Sequence, residues 1–134
     1  MRLGRASAYG LCALIFVARQ RSDAPVQVQQ ISESTGLPIE YLRKILQRMT
    51  RARLIQSERG RRGGFRMTRN PTGITLLDIV EAIEGPVDEL SVLEDALIDS
   101  GSAALGRKLK KFRRDTSKSL RKLLSSTRLS DLLA

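Results

Sequence analysis

Histidine and tryptophan are missing from the chain, and cysteine occurs once, as Cys12. Without imidazole the usual neutral-pH general base and metal ligand are gone. One thiol can close neither an intramolecular disulfide nor a zinc site built from protein donors alone. Carboxylates remain, but no glycine-rich phosphate loop or nucleophile elbow stands beside them. The residues therefore point away from an enzyme, and neither a metal nor a cofactor is expected. Long apolar runs are lacking as well. The opening MRLGRASAYGLCALIFVARQ has the outline of a signal peptide, but Tyr9 and Gly10 interrupt it, Arg19-Gln20-Arg21 follow, and no convincing cleavage site is present. It falls short of the roughly 20 apolar residues that cross a bilayer. The expectation is a buried helix in a cytoplasmic protein with no membrane partner.

Acidic residues are in the minority. The 134 residues hold 24 Lys and Arg against 14 Asp and Glu, a net charge of +10 and a pI near 10.8. Such a balance favours a polyanionic partner, because each cation placed on a phosphate backbone releases a condensed counterion. A charge run is often only a solvated face, so its placement decides. Here it is strongly patterned. Residues 43–69 hold ten Lys and Arg against Glu58 alone, and residues 71–106 hold eight acids and no base. Residues 107–128 hold ten bases against Asp115 alone.

The first basic stretch organises the rest. In LPIEYLRKILQRMTRARLIQSERGRRGGFRMTR, Leu42, Ile45, Leu46, Met49 and Ala52 keep the spacing of one helical face. Glu40, Arg43, Lys44, Gln47, Arg48 and Arg51 cover the other face. The spacing predicts a helix over Pro38–Arg53, with Pro38 in its first turn, where a missing N–H costs nothing. The period then changes. Leu54–Ser57 and Phe65–Thr68 read as two short strands, joined by the glycine-rich turn ERGRRGG. Upstream, residues 28–34 read as a short helix ended by Thr35-Gly36, glycine suiting a left-handed C-cap. Helix, Gly turn, basic helix and basic hairpin together are the plan of a winged helix-turn-helix, whose second helix enters the major groove of DNA.

The flanks complete the reading. Ala6–Gln20 is expected to be a first helix, apolar nearly all round and so buried on more than one side. Cys12 within it is expected to be a small core residue; a redox thiol is the sharper alternative, and would need an exposed, low-pKa thiolate. Thr75 and Asp78 form a capping box at the start of a helix that Gly85-Pro86 stops. A further short helix is expected through Leu90, Leu93, Leu97 and Ile98, with a break at Ser100-Gly101-Ser102. From Ala103 to Thr127 the chain reads as one long helix. Leu105, Leu109, Phe112, Thr116, Leu120 and Leu123 form a stripe too narrow for burial in a monomer but suited to a two-helix seam. The chain is thus expected to be mainly α with a small β-hairpin: a DNA-binding domain over 1–70, then an acidic linker or sensor segment and a dimerisation helix over 71–134. Like charges meeting across the seam are expected to be offset by the acidic block lying near the long helix, its own or its partner's; a second surface for DNA or RNA on that helix is the sharper alternative.

Several segments carry a wider resemblance: MRL with Tyr9-Gly10-Leu11, ISESTGLPIEYLRKIL, the wing RGRRGGFRMTR, ITLLDIVEAIEG and SSTRLSDLL. Together they resemble the IscR/NsrR/CymR type of winged-helix transcriptional regulator, the Rrf-two family, over nearly the whole chain. The resemblance implies a bacterial, homodimeric regulator acting on double-stranded DNA, with repression the expected sign. Many family members hold an iron–sulphur cluster through three cysteines in the loop before the long helix. The corresponding PVDELSVLEDALIDSGSAAL has no cysteine, and Ala8 stands where nitric-oxide-sensing relatives place an aspartate ligand. The sequence therefore resembles the branch that works without a cluster, and its signal is expected from an effector small molecule or partner protein.

The residues expected on DNA follow. Pro38 and Glu40 start the recognition helix. Tyr41, Arg43 and Lys44 are the candidates for base edges or nearby phosphates, with arginine at 43 suited to the guanine O6/N7 edge. Arg59, Gly60 and Arg61 form the wing tip, directed at the minor groove. Arg48, Arg51 and Arg62 are expected to clamp phosphates. Two other classes fit the same charge pattern: a sequence-independent architectural protein, and a winged-helix protein-interaction module.

Overall fold

The computed structural model describes residues 4–20, 23–87 and 102–133. In order these form α1 (Arg5–Arg19), α2 (Val28–Thr35), α3 (Ile39–Arg51), β1 (Ile55–Glu58), β2 (Gly64–Met67), a 3-10 turn (Pro71–Gly73), α4 (Leu76–Glu84), α5 (Ala103–Ser126) and α6 (Leu129–Leu133). The expected short helix over residues 90–98 lies outside the described residues, as do Ser100 and Gly101.

The aliphatic pattern closes one core. Leu14 of α1, Ile31 of α2, Leu42, Leu46 and Met49 of α3, Ile79 of α4 and Leu129 of α6 are all buried within it. The opening helix runs one residue earlier than its sequence pattern suggests. Where α1 crosses α3 and α4, Gly10 keeps the helices close. A Cβ there would stand 2.1 Å from Ile83 Cδ1 and 3.3 Å from Ile45 Cγ2. The other side of α1 has no such neighbour among the described residues, and Cys12 is exposed there. Its expected place in the core is therefore corrected. An apolar run does not say which of its sides meets a neighbour, and Ala8 and Cys12, one turn apart, share the outer one.

Helix ends follow their local chemistry. Gly36, with φ 73°, ends α2 and donates its N–H to Ser32 O at 2.8 Å. The recognition helix is shorter than its sequence pattern: Pro38 is its N-cap and Arg51 its last residue. Beyond it Arg53 N donates to Thr50 O and Leu54 N to Met49 O, both at 3.0 Å. This paired arrangement needs a left-handed residue between, and Arg53 supplies it with φ 60°. Early termination swings Ala52 off the apolar face and leaves it exposed, while Leu54 is buried. Because a non-glycine residue pays about 1–2 kcal/mol in that conformation, Arg53→Gly is expected to stabilise the fold by about 0.5–1 kcal/mol, part of the gain being lost to the freer unfolded chain. Urea denaturation checks it; a lower midpoint would mean that the Arg53 side chain contributes more than its strain costs.

The hairpin pairs Ile55 with Met67, Gln56 with Arg66, Ser57 with Phe65 and Glu58 with Gly64, antiparallel. Val26, just ahead of α2, adds a further rung on the outer edge of β2: Val26 N to Phe65 O is 2.9 Å and Phe65 N to Val26 O is 2.8 Å. Thr75 and Asp78 cap α4 reciprocally, at 2.9 and 3.1 Å. Residues 127–129 then return to the start of that helix. Leu76 N donates to Thr127 O at 2.9 Å, and Leu129 N to Ile74 O at 2.8 Å.

Candidate nucleic-acid interface

Amphipathic spacing places α3 with Leu42, Ile45, Leu46 and Met49 buried and its polar side outward. At about 100° per residue, Lys44, Gln47 and Arg51 form the middle of that outer side. Arg43 lies toward the hairpin. It shares a shallow cleft with Val28, Ser57 and Phe65, whose rim continues through Gly60 and Arg61 at the wing tip. Arg59, Gly60, Arg61 and Arg62 are all exposed. Arg43, Lys44 and Arg51 of the helix and Gly60 and Arg61 of the wing are thus brought to one connected cleft, with Arg59 and Arg62 exposed beside it. Glu40 is the exception in sign. It faces Arg43 across 3.5 Å, with 87% of its side chain exposed against 54% for Arg43. Such a surface pair is worth well under about 1 kcal/mol, so a phosphate or base edge can displace it.

Not every expected residue stands free on this surface. Tyr41 sets its ring edge-on to Tyr9 of α1, centroids 5.5 Å apart at 87°. Arg48 lies on the same flank of α3 and donates from Nη1 to Ile83 O in the last turn of α4, at 2.9 Å. A cation at a helix C-terminus is favourably placed against the carbonyl ends, so Arg48 ties the recognition helix to α4. Arg66 is held by Glu58 at 2.5 Å, and Arg69 donates to Gly73 O and stands 3.8 Å from Asp78. The charge presented outward is accordingly carried by Arg43, Lys44, Arg51, Arg59, Arg61 and Arg62.

Sequence reasoning set Gln47 on the outer face of the helix without carrying it to the site, and it missed Gln27 and Gln29. Gln47 lines the cleft with Thr50, and Gln29 lines its other end. Gln27 does two things: it forms a capping box with Gln30 at the start of α2, and its Nε2 donates to Arg61 O of the wing at 3.3 Å. Gln47 was available from spacing, three residues beyond Lys44. The Gln27–wing hydrogen bond joins residues 34 apart and leaves no local mark.

A tri-helical head with its third helix exposed and a hairpin beside it defines a winged helix-turn-helix, the class of fold that reads duplex DNA. Similarity to known proteins narrows this. The profile of the Rrf2 family, described as "Iron-dependent Transcriptional regulator", matches residues 3–134. The chain belongs to the Rrf2 family, and it is a DNA-binding transcriptional regulator. It is 32% identical to the HTH-type transcriptional regulator CymR of Bacillus subtilis over 95 residues, 71% of this chain and 69% of that one. It is 28% identical to the HTH-type transcriptional regulator IscR of Xenorhabdus nematophila over 133 residues, 99% of this chain and 79% of the relative. The solved structure of CymR, the global cysteine regulator of B. subtilis, superposes with a TM-score of 0.75 at 28% identity, covering 99% of this chain and 96% of that one.

The family description implies iron, and the donor set here does not match the thiolate-rich sites that hold iron–sulphur clusters. Such clusters take several thiolates; this chain has one cysteine and no histidine. Among the described residues no three of Cys, His, Asp and Glu converge closely enough to hold a metal ion. Among those residues, too, no helix is long and apolar enough to cross a membrane.

Proposed function

We propose that the chain is a sequence-specific repressor that acts in the cytoplasm as a homodimer without an iron–sulphur cluster. The observation that carries sequence reading is the continuous surface on which Arg43 of α3 and Arg61 of the wing share one cleft. A helix so presented fits the major groove, and a tip bearing Arg59 and Arg61 fits an adjacent minor groove. Arg43→Ala is expected to weaken binding to a selected operator by about 1–3 kcal/mol and to relax preference at one base step. Arg51→Ala is expected to weaken selected and random duplexes alike. Equal losses on both duplexes for Arg43→Ala would reduce Arg43 to a phosphate clamp.

The dimer reading rests on α5. Leu105, Phe112 and Leu123 are 46%, 54% and 68% exposed, on one stripe with Leu109 and Thr116. A second copy of the same stripe is its natural cover. Regulation would then come from an effector small molecule or partner protein acting on the acidic segment 78–99. Its described beginning touches α5 at Glu81, which stands 3.5 Å from Arg121. A small shift there would change the spacing of the two recognition helices. Protein purified without oxygen is expected to be colourless, with DNA affinity unchanged by nitric oxide or iron chelator. A visible absorption band with stoichiometric iron and sulphide would overturn the cluster-free reading.

A further inference from the structure

The long helix has three sides. Gly106 and Ser117 are buried, and Leu124 half-buried, on the side toward α4, while Leu120, half-buried, stands at the border between that side and the stripe in which the sequence places it. The apolar stripe of Leu105, Phe112 and Leu123 lies roughly a quarter turn away from Gly106 and Ser117, taking about 100° per residue. Opposite the stripe, at i, i+3, i+4 and i+7 spacing, run Arg107, Lys110, Lys111, Arg114, Lys118 and Lys122, of which Lys110 is exposed and Arg107, Lys111, Arg114, Lys118 and Lys122 line the same outward side. Asp115 is the single acid within α5, at the edge of this side. A seam formed through the apolar stripe therefore leaves the cations facing outward on each protomer. The row spans about 22 Å, at 1.5 Å per residue.

This surface is separate from the reading head. The helix α4 packs against both α3 and α5, so at interaxial spacings of about 8–10 Å the two lie up to about 20 Å apart. From this arrangement we infer that the outer side of α5 is a second DNA-binding surface, which takes the phosphates of another duplex while the reading heads occupy their operator. Charge complementarity selects the occupant: the protein already binds one polyanion, and a row of cations with a single acid at its edge and no aromatic or amide side chains recognises backbone rather than sequence. The dimer would thus bridge two segments of DNA.

The inference goes beyond operator reading, and its test separates the two. A duplex bearing a complete selected site is immobilised and saturated with the full-length protein, and a labelled random-sequence duplex is then offered. The wild-type protein is expected to capture the second duplex, with a salt dependence showing counterion release. The triple variant Lys111→Gln, Arg114→Gln and Lys118→Gln keeps helix-favouring side chains. It is expected to keep its dimeric state, melting temperature and affinity for the first duplex. Its log–log salt slope for the second duplex should fall by roughly 3, with capture lost near physiological salt. Undiminished capture by the variant would place the second duplex on the reading heads and overturn the inference. So would a wild-type protein that captures nothing, or a variant whose first-duplex affinity falls in parallel. Failure to hold the first duplex at all would instead count against operator reading.

Discussion

Phe112→Asp, alone or with Leu109→Asp, is expected to leave the protein monomeric at micromolar concentration and to lower operator affinity by about a hundredfold or more. Phe112 is 54% exposed in the protomer, so its replacement removes little from the folded chain itself. In the proposed seam the same side chain would be covered by its counterpart, and a carboxylate there would be buried without a partner, a cost of several kcal/mol. Operator affinity falls although Phe112 touches no DNA. Two linked reading heads bind with an effective concentration that unlinked heads lack, worth about 10²–10⁴ in affinity. Light scattering and operator titration check the two halves. A dimer that persists in both variants would move the interface off this stripe, and a monomer with undiminished affinity would show that each head binds alone.

Gly64→Ala is expected to cost about 2–4 kcal/mol of stability and to disorganise the wing. Gly64 combines φ 157° with close packing: an added Cβ would lie 2.4 Å from Val26 O and 2.7 Å from Val26 C. Those are backbone atoms in the rung that Val26 makes with Phe65, so relief means giving up its two hydrogen bonds. Gly36 provides the control. Its φ is 73°, but nothing lies within 4 Å of its Cβ position, and Gly36→Ala should cost only the conformational strain, about 1 kcal/mol. Denaturant melts of the two variants separate strain from collision. Equal costs would mean that the Val26 rung yields without penalty.

Much of the fold is legible in the sequence because it rests on local patterns. The spacing of Leu42, Ile45, Leu46 and Met49 marks a helix and its buried side, and all four are buried. Thr75 with Asp78, and Gly36 after Thr35, mark helix ends because capping joins neighbours in sequence. The charge pattern marks the candidate interface for a similar reason: Arg43 and Lys44 stand away from the apolar side of α3, and Arg61 falls in the glycine-rich turn of the hairpin. What is not legible depends on distant partners. Arg48 has the same helical spacing as Lys44 and Arg51, and only the arrival of Ile83 O ties it to α4. The Val26 rung and the Tyr9–Tyr41 ring pair likewise join segments that carry no mark of one another. Cys12 is misplaced by its sequence context because hydrophobicity reports a preference for burial, and the side of α1 on which it falls meets no other described element.

That exposed thiol has a practical use. The chain has no second cysteine to remove, and Cys12 sits on α1, which packs directly on the recognition helix. A spin label attached there would be carried by the reading head itself. In a dimer the two labels would form a matched pair, and pulsed dipolar spectroscopy would return the distance between heads as a distribution. Recorded with and without operator, or across a series of metabolites, that distribution would identify an effector by the movement it causes.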